Sequence, residues 1–388
     1  MKHAAPLHPG AQLAARGGHS SHLAGKRPSA QGDTASCLSR KAWTRGRWVY
    51  NPSMRPPYVE QDANAAKGNP QSLKMRRSPM CAPHLQQSWR WEWDSNSAEC
   101  AFEHPNHTRF CARLRGRRIL LYGDSLTQQL FVSLASLASN SSTASRPDEC
   151  VRVKPLECIR LCDGSCLLCH RLRFGLALDY LGHHLASLEE CSVNPSSVAH
   201  LNETFSPPCI QSFDLVLLQE FAHWVGSDGA IKVEECLRKR GLPDATQRAQ
   251  SHILKLYRGQ MHRNAAFLRN ATRSWKARVF FRTAIPGYPP ADVLVPDTLH
   301  SAPPLFVAPR PNTTWAYEFS RREVSQWNHH LWERMNAIAK HAYHENGLHV
   351  LDTEIAMLQR VDGHLDPLHY CLPGPPDFTS QVLFNFLL

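Results

Sequence analysis

A chain of 388 residues with 42% hydrophobic and 20% charged residues can bury a sizeable core and has room for one large domain plus an appendage. Its formal net charge of +11 is uneven: residues 1–120 hold 19 Lys/Arg against 7 Asp/Glu, and the remaining 268 hold 25 against 26. The larger body is therefore close to neutral, no nucleic-acid partner is expected, and the net charge points to the basic N-terminal region as the place for any polyanion role, although solvated tails are commonly basic. Acidic polysaccharide satisfies that charge as well as nucleic acid does.

In chain order, residues 1–36 read as a disordered basic segment. Met1 to Gln31 carries no acidic residue and no apolar core of signal-peptide type, and its basic, acid-free character is weakly like a transit peptide. No stretch of the chain approaches the roughly 18 apolar residues of a membrane-crossing helix. Residues 37–112 form a Cys/Trp-rich module without long helical periodicity, marked by Arg47-Trp48-Val49-Tyr50 and Trp89-Arg90-Trp91-Glu92-Trp93. Its tryptophans are expected to fill core, with a sugar-stacking platform as the alternative.

From residue 113 to 388, short apolar runs alternate with helical patterns. Arg118–Tyr122, Asp214–Leu218, Arg278–Phe281 and Leu348–Leu351 read as buried strands. Helices are expected over about 126–138, 251–275 and 322–346, the last ending at Gly347. Strands separated by helices predict an α/β domain of three layers, a parallel sheet flanked by helices, with its site beyond the C-terminal strand ends. Residues 140–210, with seven cysteines, read as an insertion, and the Pro-rich residues 286–321 as a surface loop.

Thirteen cysteines, with Asn-x-Ser/Thr sequons at Asn106, Asn140, Asn202, Asn270 and Asn312, favour an oxidising secretory compartment. The crowded Cys158, Cys162, Cys166 and Cys169 fit disulfides, to each other or to Cys150, Cys191 and Cys209, better than the separated knuckles of a zinc site. No metal is expected.

Gly123-Asp124-Ser125 follows the first strand of this domain and opens its first helix. A serine at that turn stands at the sheet edge with its N–H at a helix N-terminus, where developing negative charge is favoured. Helix capping by Asp124 or Ser125 is the alternative. A serine needs a base, and Asp366-Pro367-Leu368-His369 supplies an imidazole with a carboxylate three residues before it. Ser125, Asp366 and His369 are the candidate catalytic residues.

Leu114 through Leu126, with Gly123-Asp124-Ser125, resembles the Gly-Asp-Ser block of the plant trichome birefringence-like proteins, PC-esterase members of the SGNH hydrolase superfamily. Asp366-x-x-His369 and the block from His369 to Asp377 resemble its C-terminal motif, Arg282-Thr283 another short motif, and the tryptophan segments its N-terminal module. The resemblance implies an SGNH-type fold, a Golgi location, and O-acetylation of cell-wall polysaccharide. Ser125 would carry the acyl group, His369 would act as base and acid, and Asp366 would orient it. Members are usually anchored by an N-terminal membrane helix, so the resemblance also implies membrane association. SGNH enzymes often add an oxyanion-stabilising Asn after a middle strand, where this chain has Gln219 or Glu220. A Gln amide can donate a hydrogen bond and an ionised Glu cannot. Gly123, Asp124 and Gln219 are the supporting candidates, while His223-Trp224 resembles the plant family's sequence, has strand-end packing as its alternative, and stays outside the catalytic set.

The sequence thus points to an O-acetyltransferase acting on polysaccharide. A carbohydrate esterase with the same triad and a non-catalytic carbohydrate-binding protein are the alternatives. No bound cofactor is expected. The acetyl group would come from a donor such as acetyl-CoA or an acylated carrier.

Overall fold

The computed structural model describes residues 42–51, 53, 89–94, 100, 102–104, 106–138, 143–144, 156–172, 201–226, 229–274, 278–284, 331–360, 363 and 368–386. Nine strands are numbered among them: β1 (Gly46–Tyr50), β2 (Trp89–Trp93), β3 (Arg118–Gly123), β4 (Thr143–Ala144), β5 (Glu157–Leu161), β6 (Cys166–Leu172), β7 (Leu215–Gln219), β8 (Arg278–Arg282) and β9 (His349–Leu351). The helices are α1 (His107–Leu114), α2 (Ser125–Ala138), α3 (Leu201–Thr204), α4 (Pro207–Gln211), α5 (Ala222–Val225), α6 (Ala230–Lys239), α7 (Ala245–Thr272), α8 (Trp332–Glu345), α9 (Glu354–Leu358) and α10 (Pro376–Phe386). The segments 1–36 and 286–321 lie outside the described residues.

The central sheet has the order β4-β5-β6-β3-β7-β8-β9. Its core β6-β3-β7-β8-β9 is parallel, and β4 and β5 add an antiparallel edge. All four strands read from sequence are present. Ile119 to Tyr122 and Leu215 to Leu218 are buried throughout, as strands covered on both faces require. Helices α2 and α10 pack against each other on one side, and α7 and α8 form the opposite layer. Gly347, with φ of +69°, closes α8 in the left-handed conformation that glycine tolerates. From β3 the chain runs to β6 on one side, then crosses to β7 on the other, so the switch point lies at the C-terminal end of β3.

The structure differs from the sequence reading at 140–210. Part of that stretch supplies β4, β5 and β6, and β6 lies directly beside β3. The crowded cysteines mark a hairpin. Cys158 faces Cys169 across the β5–β6 pair and is disulfide-bonded to it, while Cys162 in the turn is bonded to Cys111 on α1. Cys111 was not among the expected partners, because its proximity depends on how α1 lies over the turn. Three of the four cysteines are consumed, and Cys166 is a buried thiol that burial, and then the Asp214 carboxylate, push up to about 12.

The tryptophan segments pair as an antiparallel ribbon, β1 with β2, and fill core. Trp91 is buried against Phe378 of α10, ring centroids 5.0 Å apart, and Trp48 meets Trp91 edge-on at 5.8 Å. The Trp43 indole N–H donates to the Asp352 carbonyl at 3.2 Å and that of Trp48 to the Ala356 carbonyl at 2.7 Å. The Arg360 guanidinium stands 4.9 Å from the ring centroids of both Trp48 and Trp89, a cation–π arrangement at the junction.

His170 on β6 is wholly buried beside Phe131 of α2, and neither ring nitrogen has a hydrogen-bond partner among the described residues. Burial, reinforced by Arg171, pushes its pKa down to about 3. The unfolded chain takes up this proton near pH 6.5 and the folded one only near 3, so stability falls as pH drops through that window. The slope is up to about 1.4 kcal/mol per pH unit. Replacing His170→Phe should remove one proton's worth of that dependence, measured by denaturant unfolding at pH 7, 6 and 5.

Candidate active site

Ser125 is the first residue of α2 and is buried at the end of β3. Asp124 acts as the helix cap. Its carbonyl accepts from the N–H groups of Thr127 (3.0 Å) and Gln128 (3.1 Å), and its Oδ1 accepts from that of Leu126 (3.0 Å). This leaves the Ser125 N–H as the uncommitted donor of the first turn among the described residues. The Ser125 hydroxyl donates to Nε2 of His369, with the heavy atoms 2.8 Å apart, in the tautomer that carries its proton on Nδ1. Two residues 244 positions apart thus form a hydrogen-bonded serine–histidine pair at the C-terminal edge of the sheet.

The helix itself brings them together. Among the apolar side chains of α2 stand Ser125, Gln129 and Ser133, one turn apart on one face. Each bonds the C-terminal segment. Gln129 Nε2 donates to the Tyr370 carbonyl at 2.6 Å, and its Oε1 accepts from the Tyr370 N–H at 3.1 Å. Ser133 donates to the Asp377 carboxylate at 2.6 Å and meets the Ser380 hydroxyl at 2.7 Å. The other Asp377 oxygen accepts from the Gly374 N–H at 2.9 Å. The next residue along from His369 is therefore fixed by both functions of one buried amide. Cys371 is disulfide-bonded, and its N–H donates to the Gly363 carbonyl at 2.8 Å.

The supporting candidates divide. A Cβ at Gly123 would overlap the Gln219 carbonyl and the Thr127 hydroxyl, so glycine is what lets β3 and β7 close beneath the turn. The second oxygen of Asp124 accepts from the N–H groups of Phe221 (3.2 Å) and Ala222 (3.3 Å), tying the turn after β3 to the turn after β7. As an acceptor of three backbone protons, that carboxylate supports the turn and is not an oxyanion donor. Gln219 is wholly buried. Its Oε1 accepts from the Thr127 hydroxyl at 3.4 Å, and its Nε2 has no partner among the described residues. Glu220 belongs to the other layer, where the Tyr257 hydroxyl donates to its carbonyl at 3.1 Å. Burial, and next the Glu220 carboxylate, hold the Tyr257 and Tyr343 hydroxyls well above their ordinary range. Trp224 packs edge-on to Tyr257, with centroids 5.3 Å apart. Asp366 lies outside the described residues.

Two residues of this constellation escaped the sequence reading as functional positions, and a third, Arg282, entered it only through the Arg282-Thr283 resemblance. Gln129 and Ser133 carry a signal, polar residues at four-residue spacing inside an apolar helix. Apart from that dipeptide, Arg282 carries almost none. Buried at the end of β8, it donates to the Leu126 carbonyl at 3.4 Å. Burial lowers its pKa to about 10, and the charges of Asp124 and Tyr370 oppose that shift, so it stays cationic at neutral pH beneath the serine turn. Among the described residues no group of His, Cys, Asp and Glu is arranged to hold a metal ion.

Residues 104–386 match the family model described as PC-Esterase, the GDSL/SGNH-like acyl-esterase family found in Pmr5 and Cas1p. The chain belongs to the PC-Esterase family. Among curated relatives, the protein named Xylan O-acetyltransferase 12 of Oryza sativa subsp. japonica is 26% identical over 153 residues, 39% of this chain and 26% of the relative. Xylan O-acetyltransferase 3 of the same organism is 30% identical over 94 residues, 24% of this chain and 19% of the relative. Protein trichome birefringence-like 12 of Arabidopsis thaliana is 30% identical over 88 residues, 23% of this chain and 20% of the relative. The chain thus spans about a quarter or less of the length of these relatives, and the PC-Esterase assignment rests on the longer match.

The clamp at Tyr370 predicts that Gln129→Leu, which strands a buried N–H and a buried carbonyl, costs about 2–5 kcal/mol of stability. Gln129→Glu keeps the shape and the acceptor but sets a carboxylate against the Tyr370 carbonyl. Turnover of a small activated acetyl ester should then fall about tenfold or more, about 1.4 kcal/mol of barrier, with KM within twofold of the parent. An unchanged kcat would show that His369 is held without the clamp.

Proposed function

We propose that this PC-Esterase protein is an O-acyltransferase, specifically an O-acetyltransferase that passes acetyl groups to polysaccharide hydroxyls through an acyl-enzyme on Ser125. The observation that carries the reading is the 2.8 Å contact between Ser125 Oγ and His369 Nε2 at the N-terminus of α2. In the proposed first half, His369 takes the hydroxyl proton as Oγ attacks the acetyl carbonyl. The negative charge then develops next to the Ser125 N–H, and we assign the orphaned Nε2 of Gln219 as a second donor. His369 returns the proton to the leaving group of the donor, acetyl-CoA or an acylated carrier. In the second half, His369 takes the proton of a sugar hydroxyl, whose oxygen attacks the acetyl-enzyme and releases Ser125. Asp366 would hold the Nδ1–H and stabilise the imidazolium. The names of the rice relatives support xylan as one acceptor to test.

A carbohydrate esterase uses the same first half, with water as the second acceptor, and the family's acyl-esterase description favours keeping it as the second reading. The disulfides Cys111–Cys162 and Cys158–Cys169 support an oxidising secretory compartment such as the Golgi lumen. No helix among the described residues is long and apolar enough to cross a membrane.

Incubation with labelled acetyl donors and a panel of wall polysaccharides, scoring acetyl-sugar and free acetate separately, tests the assignment. Label on sugar that disappears in Ser125→Ala, with the unfolding transition unchanged, is the expected result. Label confined to free acetate would replace the transferase with the esterase, and activity surviving Ser125→Ala would overturn both. In Asp366→Asn, turnover should fall by about a thousandfold or more, read at constant fold by circular dichroism.

A further inference from the structure

Helix α7 carries Arg248, Lys255, Arg258, Arg263 and Arg269, and no Asp or Glu over its 28 residues. Without those five cations, residues 121–388 would hold 20 Lys/Arg against 26 Asp/Glu, so α7 is a cationic rod on an otherwise acidic body. Taking about 100° per residue, Arg248, Lys255, Arg258, His262, Arg269 and the following Arg273 fall within an arc of about 80°, spread along about 38 Å. Opposite that arc lie the buried Ile253, Tyr257, Asn264 and Leu268. The five Lys/Arg of the arc are exposed and make no ion pair among the described residues.

Helix stability does not account for this pattern. Lys255 with Arg258 and Arg269 with Arg273 place like charges three and four residues apart, and Arg248 stands in the positive end of the helix dipole. A helix selected for solubility alone would interleave glutamates, as α6 does with Glu234 and Arg238, 2.5 Å apart. The carboxylates nearest α7 among the described residues, Asp244 at its N-cap, Glu220 beside the buried Tyr257, and Glu234 and Glu345, form no ion pair with the five of the arc. Glu234 accepts from the Thr246 hydroxyl at 2.9 Å, and Glu345 lies 3.6 Å from His262. The α6 C-terminus adds Arg238, Lys239 and Arg240 beside the start of the row, where Arg238 donates to Thr246 at 3.4 Å.

We infer that this outer face of α7 is a docking surface for an anionic polysaccharide, a chain bearing uronate carboxylates, which it retains while acyl transfer proceeds at Ser125. Charge complementarity selects the occupant, and the length of the row matches an extended chain rather than a small anion. The inference rests on the reading of polysaccharide as acceptor and narrows it to the acidic class. The same layer connects to the site. Tyr257, on the buried side of α7, bonds the Glu220 carbonyl immediately after Gln219.

The test is direct binding, independent of turnover. Polygalacturonate and glucuronoxylan are titrated against the full chain, its Ser125→Ala variant, and the triple variant Lys255→Gln/Arg258→Gln/Arg269→Gln, with carboxyl-reduced polymers and a DNA duplex as comparators. The expected result is binding to the uronate polymers that weakens about tenfold or more between 50 and 200 mM salt, as ion release requires. It should be lost by a similar factor in the triple variant, kept in Ser125→Ala, and absent for the reduced polymers. A triple variant with parental affinity and an unchanged melting transition would overturn the surface. Equal binding of reduced polymers would overturn the carboxylate as its ligand, and tighter binding of the duplex at equal charge concentration would make it a nucleic-acid surface. Because Ser125→Ala binds without turning over, loss of the acyl-transfer reading and loss of this one give different results.

Discussion

The geometry of the site depends on one interaction, the pairing of the Gln129 amide with both backbone groups of Tyr370. A serine at a helix N-terminus is common, and an imidazole near a carboxylate is common. Their meeting is not, because the two belong to opposite ends of the α/β domain. Helix α2 removes that freedom by carrying the serine and the anchor of the histidine loop on one face, a turn apart. The Ser133 contacts to Asp377 and Ser380 extend the same stripe one turn further and seat α10. In a buried setting each of these polar groups would be costly alone, so the stripe is stable only in one register. Any slip of the C-terminal segment leaves an amide or hydroxyl unpaired, and the lowest-energy register is the one that brings His369 to Ser125.

Beneath that contact, charge is managed by a second set of buried groups. The Asp124 carboxylate accepts three backbone protons and binds the turns after β3 and β7 together, and the Arg282 guanidinium lies close enough for the two charges to stabilise each other. By capping Leu126, Thr127 and Gln128, Asp124 also determines which N–H remains unused. Glycine at 123 completes the device, because no side chain fits between the strand ends. The Ser125 hydroxyl needs little from its own side chain beyond position. Its surroundings are shaped by Gly123, Asp124 and Arg282.

Much of this was legible in the residues. The apolar runs at 119–122 and 215–218 are strands because they are buried on both faces, and that burial is written in their uninterrupted hydrophobicity. The serine turn and the histidine are visible as local motifs because glycine, aspartate and serine have distinct backbone demands. The strands within 140–210 were hidden, since β5 and β6 mix cysteine, arginine and histidine where a buried strand normally shows Val, Ile and Leu. His170 is the sharpest case, a titratable ring in a position that periodicity would assign to an apolar residue. The setting of Arg282, visible in the sequence only as part of the Arg282-Thr283 motif, was hidden for a related reason: a buried cation is identified by its partners, Asp124 and the Leu126 carbonyl, which are 158 and 156 positions away and invisible in one dimension. The pairing of Cys162 with Cys111 likewise depends on how α1 crosses the β5–β6 turn.

The aromatic junction between the tryptophan ribbon and the rest of the molecule sets where the chain tolerates being cut. The family match begins at residue 104, an inviting boundary for a minimal fragment. A fragment starting there would strip Trp91 from Phe378 on α10 and remove the indoles bonded to Asp352 and Ala356. It would also bare Arg360, leaving an unsheltered cation and a greasy groove on the helix whose Asp377 anchors α2. The folding unit therefore includes Trp43 and the tryptophan ribbon, and a piece trimmed to the family boundary would expose the apolar surface they cover.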